Sequence, residues 1–352
     1  MSGVAGVEVK GAFKKASSWN SAVACGVNNG VLILPSSIKK DSPVDVDDSL
    51  GTYHSKDGLL GPVKVEGDLP AYLRYDGLDI LLAMFMGIAG APTQQGATSA
   101  YAYIYKWKND IDGFFGTFVK HMKNYIEEHP SMKVAGITIK GDVGKAIQVL
   151  FKCISINKKY DSVVNTLITF NNVSYFEQQN RIKMSEGIFR LNDQSSAALA
   201  DVDKIYPSSF ELSAMRKLKG EYTGEYKFTG GSNVQDLVDE PANDGQPEIK
   251  LKLNFPRHTG TTYLSALGSD TRKKMDITFT GGLIEASYYK QFKIELPHLQ
   301  LVNDDPADEQ GIIKEPLEFV CHGAVTAPSG MTGITDPFWL SGINRRTTDP
   351  LA

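Results

Sequence analysis

The sequence predicts a mainly β protein made of two consecutive modules. Several segments alternate polar and apolar residues with the period of a strand, and few segments show helical spacing. Glycine is frequent, with 33 of 352 residues, while 15 tyrosines and 16 phenylalanines far outnumber 3 tryptophans. This composition is typical of β-rich proteins with many turns.

Alternating stripes predict the individual strands. Val63, Val65 and Leu69 face one way, with charged residues between them. Such stripes are typical of antiparallel strands with one buried face. Further strands are predicted over 147–153, 249–255, 292–296 and 317–321. Tyr101, Tyr103, Tyr105 and Trp107 also alternate, which favours one face of a strand over an exposed sugar-binding platform.

Helices are predicted in three places. The clearest covers Ala71–Met86, because Tyr75, Leu78, Leu82 and Phe85 share one helical face between Pro70 and Gly87. The second is predicted for Thr259–Gly268 after Pro256. It carries the apolar residues Tyr263, Leu264 and Leu267. A third, short helix is a further possibility over Ser195–Lys204.

An internal similarity indicates the two modules. Val63–Pro70 parallels Ile249–Pro256 in its order of apolar, lysine and polar residues, at an offset of 186 positions (256 − 70). A repeat of this length indicates two copies of one domain. The boundary is expected between about Gly187 and Pro207. The first module therefore takes residues 1–190 with an N-terminal arm, and the second takes 191–352 with a C-terminal tail.

Three loose segments are candidates for contacts between subunits. They are an acidic run, a long polar loop over Thr229–Pro247, and the tail Pro328–Ala352, which has no stripe long enough for a strand. Apolar residues in the tail are expected to pack on their own domain or on a neighbouring subunit. Removing the tail is expected to leave folded subunits that fail to stack. The candidate contact residues are Asp41, Asp45, Asp47, Asp48, Asp236, Asp239, Glu240, Phe338, Trp339 and Ile343.

Catalytic, metal and cofactor motifs are missing from the sequence. Gly141–Ala146 departs from a phosphate-binding loop, since Ile139 replaces the first glycine and Ala146 the Ser/Thr. The six histidines are scattered, and the three cysteines form no C-x-x-C pair. No catalytic, cofactor or metal residues are therefore assigned, and no cofactor is expected. An enzyme is kept as an alternative that would need a pocket with perturbed acids or histidines.

Charge and hydropathy limit the partners. Residues 1–190 hold 21 basic and 18 acidic side chains, a net charge of +3, and residues 191–352 hold 16 and 23, a net charge of −7. Neither half has a basic block, which argues against tight nucleic-acid binding. The longest uncharged apolar stretch, Ile80–Ala91, is too short for a membrane span. With no secretory leader apparent, we expect synthesis in the cytoplasm and no membrane partner.

Three pieces of the chain carry a resemblance to a known family. They are Gly61–Gly87, Phe292–Leu301 followed by Gly311–Phe319, and the two-module plan. Together they resemble the major tail tube proteins of long-tailed, siphovirus-like bacteriophages, in the subgroup whose chains carry two tube modules. The resemblance spans nearly the whole chain and rests on patterns of strand, helix and turn.

The resemblance implies a fold and a role. Each module would be a β-sandwich or rolled barrel with a flanking α-helix, and the inner strands of neighbouring modules would join around a channel. Subunits would form rings, as trimers with pseudo-six-fold symmetry, that stack into the tail tube. DNA would pass through the lumen without specific binding, during ejection into the host.

The same resemblance implies partners and leaves alternatives. The other partners would be the tape measure, terminator and distal tail proteins, in a virion assembled in the host cytoplasm. The chain could instead be another ring-forming tail component, such as a terminator or distal ring. It could also be a β-sandwich that binds a host receptor or a carbohydrate.

Overall fold

The computed structural model describes residues 9–46, 58–176, 180–223, 237–258, 267–303, 307–309 and 312–352. Strands account for 49% and helices for 7%, and the strands pair antiparallel. The predicted mainly β class is therefore confirmed.

The strands are numbered in chain order. The first twelve are β1 Lys10–Lys15, β2 Gly30–Val31, β3 Lys39–Asp41, β4 Val44–Val46, β5 Gly58–Leu60, β6 Lys64–Tyr72, β7 Gly87–Ile88, β8 Thr93–Gln94, β9 Tyr101–Trp107, β10 Gly116–His121, β11 Ile126–Asp142 and β12 Gln148–Ser155. The others are β13 Gly187–Asp193, β14 Lys204–Ile205, β15 Ser209–Met215, β16 Leu218–Lys219, β17 Ala242–Asn243, β18 Glu248–Phe255, β19 Lys273–Glu285, β20 Tyr288–Asn303, β21 Ala307–Glu309, β22 Ile312–Cys321 and β23 Trp339–Asn344. The helices that lie wholly within the described residues are α1 Asp79–Met86 and α2 Leu167–Phe170, with single 3₁₀ turns at Met184–Glu186 and Asp201–Asp203.

Eight of these strands form one continuous sheet, which we call the joined sheet. Their order is β3–β6–β12–β11–β15–β18–β22–β20. The long strands β11 and β20 also reach a second layer, where their first halves pair with β10 and β19. That layer continues through β1 on one side and β13 on the other. The molecule is therefore two layers of sheet connected by two long, bent strands.

The two halves of the chain repeat the same order of strands. In the first half β3, β6, β12 and β11 lie side by side, and β11 continues to β10 and β1. In the second half β15, β18, β22 and β20 lie side by side, and β20 continues to β19 and β13. A short hairpin precedes the second strand of each set, β4–β5 before β6 and β16–β17 before β18.

The two halves meet through backbone pairing. Gly136–Asp142 of β11 pairs with Ser209–Met215 of β15 in one unbroken register. Strand β15 alternates buried and half-buried residues along its length, so it fits a sheet with one buried face. The boundary region predicted near Gly187–Pro207 thus leads directly into the strand that links the halves.

Apolar faces of the two layers form the core. Phe210 of the joined sheet contacts Phe189 and Phe279 of the second layer, with ring centroids 5.4 and 6.1 Å away. The predicted stripes supply this core: Val65, Leu69, Phe151, Leu251 and Phe319 are all at most 1% exposed. Burial of these aromatic and branched side chains is the main contribution to the stability of the fold.

The first predicted helix is shorter than expected. Strand β6 runs through Pro70 to Tyr72, and α1 begins only at Asp79, so Tyr75 lies outside it and Leu78 is its N-cap. Pro70 has no N–H, and in a strand the N–H and the carbonyl of one residue point to the same side. The Pro70 carbonyl accepts a hydrogen bond from the Leu34 N–H, so no hydrogen bond to β12 is lost at this position. Gly77, at φ 91°, separates strand from helix, whereas the end at Gly87, at φ 86°, is as predicted. Tyr75, Leu78, Leu82 and Phe85 are all buried.

The second predicted helix lies mostly outside the described residues, and the third is not an α-helix. Tyr263 and Leu264 lie outside the described residues, while Leu267 is helical and 39% exposed. Ser195–Lys204 forms no α-helix and has only the 3₁₀ turn Asp201–Asp203. Its Ser and Asp residues favour side-chain to backbone hydrogen bonds over helix. The carboxylate of Asp203 accepts such a bond from the Ala200 N–H at 2.8 Å.

The C-terminal tail was wrongly predicted to lack a strand. Residues Trp339–Asn344 form β23, which lies between β9 and β20 and so connects the two halves of the chain. The strand is short, and Gly342 interrupts its apolar pattern. A side chain at position 342 would collide with the Gln291 carbonyl and the Tyr103 ring, so glycine permits this close pairing.

Candidate assembly and channel surface

One face of the joined sheet is polar and exposed. Along each strand the apolar residues point into the core and the intervening residues point outwards, as the alternation requires. Seven lysines and seven carboxylates of the described strands share this outward face. They are Lys39, Lys64, Lys140, Lys152, Lys250, Lys252 and Lys314, with Asp41, Glu66, Asp68, Asp142, Glu211, Glu248 and Glu318.

Ion pairs spread the two charges evenly over this face. Lys64 lies 2.8 Å from Glu66, and Lys252 lies 3.7 Å from Glu318 across two strands. Glu248 and Lys250 are 2.6 Å apart, and their hydrogen bond lowers the pKa of the carboxyl and raises that of the amine. The face carries no net charge from its strands, and a face without net positive charge is poorly suited to holding phosphates.

The joined sheet has two free edges in the part of the chain that the structure describes. At one edge β3 pairs only with β6, through Lys39–Asp41. At the other edge Leu301–Asn303 of β20 pairs only with β22. Free edges expose unpaired backbone groups that favour pairing with another strand.

The predicted acidic contact residues are partly on this surface. Asp41 is exposed on the edge strand β3, and Asp45 is exposed on the hairpin β4–β5. Asp47, Asp48 and Asp236 lie outside the described residues. Asp239 is half-buried, and its N–H donates to the Glu221 carbonyl at 2.9 Å.

Glu240 is engaged within its own chain. Its Oε1 atom accepts hydrogen bonds from Lys133 Nζ at 2.8 Å and from the Gly113 N–H at 2.7 Å. The Lys133 side chain is completely buried and also donates to the Pro241 carbonyl. A buried ammonium needs such a carboxylate as its partner, so Glu240 has a role within its own chain.

The predicted apolar contacts of the tail are also largely internal. Phe338 is fully buried, 5.7 Å from Trp107, and Trp339 is 8% exposed. The Trp339 indole donates to Asp336 at 2.6 Å. Ile343 is half-buried in β23 between Ala102 and Gln291. Of the two alternatives for these side chains, packing on their own chain is the one that the structure shows for Phe338 and Trp339.

The aromatic stripe of β9 offers no sugar platform. Tyr103, Tyr105 and Trp107 are at most 4% exposed, and Tyr103 stacks on Tyr105. The prediction that these residues form one face of a strand is confirmed. The carbohydrate-binding alternative loses the residues on which it depended.

The described residues contain no cluster of three or more possible metal ligands. A cavity of about 640 Å³ is lined mainly by Val143, Phe189, Tyr206, Pro207 and Pro256. His129 is buried against Phe118, and burial with two nearby lysines lowers its pKa to about 3. A histidine that stays neutral inside the core is better suited to packing than to proton transfer. None of the helices in the described residues has the length and apolar character needed to cross a membrane.

Several features of this surface were missed at the level of sequence. The linking strand β15 had a signal, the alternation of Phe210, Leu212 and Ala214. The exposed valines of the β4–β5 hairpin also had a sequence signal, since Val44 and Val46 alternate with aspartates. No sequence signal indicated the cavity near Tyr206, because four separate segments of the chain build it.

Comparison with known proteins gives one match over most of the chain. The family model described as "Phage tail tube protein" matches residues 6–321. No curated protein matches the chain.

Proposed function

Since the chain belongs to the phage tail tube protein family, we propose that it polymerises as stacked rings into the tube of a bacteriophage tail. The tube would conduct DNA into the host during ejection. The protein is a structural component of the virion tail, and we propose that it acts without catalysis or cofactor.

The joined sheet is the observation that carries this proposal. Residues 1–190 and 191–352 would be two tube modules, because each supplies four neighbouring strands in the same order. The β11–β15 pairing shows how two such sets can be joined by backbone hydrogen bonds. A ring needs the same junction repeated between subunits.

Ring closure would pair the two free edges. The end of β20 in one subunit would lie beside β3 of the next, as β11 lies beside β15 within the chain. Each edge would then gain partners for its backbone groups, and a closed ring would leave no lateral edge exposed. Three subunits would supply six modules, and hence pseudo-six-fold symmetry.

The polar face of the joined sheet would line the channel. Its strands carry equal numbers of lysines and carboxylates, so they present no basic track along which DNA phosphates would be held. DNA would therefore pass without specific binding. The apolar face is covered by the second layer, which would form the outside of the tube.

Tail partners and assembly complete the proposal. The tube would start on a distal tail complex around the tape measure protein and end at a terminator, during assembly in the host cytoplasm. Exposed Asp41 and Asp45 remain candidates for contacts between rings, together with Asp47, Asp48, Asp236 and the half-buried Asp239 and Ile343.

Electron microscopy of the purified protein tests the proposal. Hollow tubes, or rings with three-fold or pseudo-six-fold symmetry, are expected at high protein concentration. The variant Gly67→Ala provides a comparison, because the added Cβ would lie 2.6 Å from the Ile38 backbone and would displace the edge strand β3. It should fold but form fewer rings. Protein that stays monomeric at every concentration, even with a tail initiator complex added, would contradict the proposal.

A further inference from the structure

One lysine and two aspartates from different halves of the chain are buried together. Asp76 lies in the connection between β6 and α1, Asp79 is the first residue of α1, and Lys290 belongs to β20. All three residues are at most 4% exposed. The Nζ atom of Lys290 lies 3.5 Å from Oδ2 of Asp76. We call these three residues the buried cluster.

The carboxyl group of Asp76 is held in one orientation. Its Oδ1 atom accepts a 3.2 Å hydrogen bond from the backbone N–H of Arg345. Its Oδ2 atom, which faces Lys290, is buried and accepts no hydrogen bond from the described part of the chain. The carbon Cγ is therefore one bond away from an atom in van der Waals contact with the lysine amine. Groups held at such a distance react as if each were at very high concentration.

The surroundings favour a protonated Asp76. Burial raises the pKa of its carboxyl group, and the negative charge of Asp79 raises it further. Asp79 is held close by, because its Oδ2 atom accepts a 3.0 Å hydrogen bond from the N–H of Gly77. A separate ammonium and carboxylate in the core carry a large desolvation cost for each ion. One amide in their place would remove both charges, and Asp79 would keep Arg346 as its cation at 3.8 Å.

We propose that Lys290 and Asp76 condense into an intramolecular amide bond. The Lys290 ammonium first passes one proton to Oδ2 of Asp76, which leaves a neutral acid and a nucleophilic amine. Nζ then bonds to Cγ, a second proton moves from Nζ to Oδ2, and the Cγ–Oδ2 bond breaks as water leaves. One ammonium and one carboxylate thus become one amide and one water molecule, with no net change in charge and no oxidant or reductant. The Arg345 N–H would stabilise the negative charge that develops on Oδ1.

The bond would tie the two halves of the chain together covalently, since Asp76 belongs to the first half and Lys290 to the second. A cross-link between residues so far apart in sequence restricts the unfolded chain and thereby stabilises the fold. It would also keep the halves together under a pulling force that broke the backbone hydrogen bonds between β11 and β15. The inference concerns the single subunit and does not depend on the proposed tube role.

Intact-mass spectrometry of the folded, purified protein tests the bond directly. The protein should be lighter than its sequence by one water molecule, after allowance for removal of the first methionine. Trypsin cannot cut after a lysine whose amine is linked, so peptide 75–106 should be recovered joined to peptide 275–293.

The matched variant is Lys290→Arg, because an arginine keeps a cation beside Asp76 but stays charged and cannot supply a neutral amine. This variant should show the full mass of its own sequence and a lower midpoint of thermal unfolding than the wild type. Lys145→Arg, at the exposed ion pair with Asp142, is the control and should still lose one water molecule.

Two outcomes would overturn the inference. One is the full sequence mass in folded wild-type protein, both fresh and after days of incubation. The other is a water loss confined to one peptide, because the Asp76–Gly77 sequence can also lose water by cyclising to a succinimide. A succinimide leaves Lys290 open to trypsin, whereas the amide does not. The mass of the subunit is independent of assembly, so either outcome would leave the tube proposal intact.

Discussion

The carboxylate of Asp79, the first residue of α1, accepts a 3.0 Å hydrogen bond from the side-chain amide of Asn344, the last residue of β23. The same Oδ1 atom accepts a 2.8 Å bond from the Tyr105 hydroxyl. All three residues are buried. Strand β23 is thereby tied to the helix of the first half, although Asn344 lies in a segment predicted to be loose.

Truncation after Pro328 should unfold or aggregate the subunit. It removes β23 from between β9 and β20, takes fully buried Phe338 and Leu340 from the core, and leaves Asp79 without the Asn344 donor. This outcome replaces the expectation of folded subunits that fail to stack. Circular dichroism and size-exclusion chromatography measure it. Asn344→Ala should cost only about 1–3 kcal/mol of unfolding free energy, as one buried partner is lost. A truncated protein with wild-type thermal stability would contradict the role of β23.

The buried Lys133–Glu240 pair should be important for stability. Lys133→Met should lower the free energy of unfolding by about 3–5 kcal/mol, because Glu240 loses its ammonium partner and the Pro241 carbonyl loses a donor. Lys145→Met is the matched control at an exposed ion pair and should stay within about 0.5 kcal/mol of wild type. Urea unfolding monitored by fluorescence checks both. Equal effects from the two variants would show that burial of Lys133 carries no special cost.

His129 should make stability depend on pH below neutrality. Its pKa is about 3 in the folded protein and about 6.5 when unfolded, so between these values the unfolded state binds the extra proton. Stability from this residue is therefore complete above pH 6.5 and falls as the pH is lowered, by about 2 kcal/mol at pH 5.

The variant His129→Asn should remove that part of the pH dependence, whatever its effect at neutral pH. Val163→Asn, at an exposed position that does not titrate, serves as the control and should keep the wild-type slope. The measurement is the unfolding free energy at several pH values from 7.5 to 5. The same slope in wild type and His129→Asn would assign the pH dependence to other groups.

Charge on the polar face should decide whether tubes bind DNA. Asp68→Lys/Glu211→Lys/Glu318→Lys would make this face strongly positive and should leave folding unchanged, since none of the three side chains is buried. Assembled tubes should then bind duplex DNA with an affinity that falls steeply with salt.

Three exposed carboxylates away from the joined sheet provide the matched control, Asp161→Lys/Asp201→Lys/Glu285→Lys. Fluorescence anisotropy with DNA short enough to enter the tube measures binding at several salt concentrations. If the control variant binds DNA as tightly as the first, the polar face does not line the channel.

Much of the fold was predictable because alternation is a local property. The stripes predicted from Val63 and from Ile249 correspond to β6 and β18, where Val65, Leu69, Ile249, Leu251 and Leu253 are buried as expected. The prediction of a helix from Ala71 was wrong because Pro70 and the apolar spacing after it fit either a strand end or a helix start. Pairing with β12 decided between them. The packing of Glu240, Phe338 and Trp339 within the chain was the least predictable part, since their partners lie more than 100 positions away in the sequence.

The sequence by itself determined the β class, the buried face of most strands and a chain whose two halves resemble each other. These follow from composition and from spacing within a few residues, and each strand needs only its own side chains to specify them. Only the tertiary structure decided which strands are neighbours. It joined β11 to β15 and inserted β23 between β9 and β20. Backbone hydrogen bonds between strands are alike in every sequence, so partner choice depends on how all the apolar faces pack together.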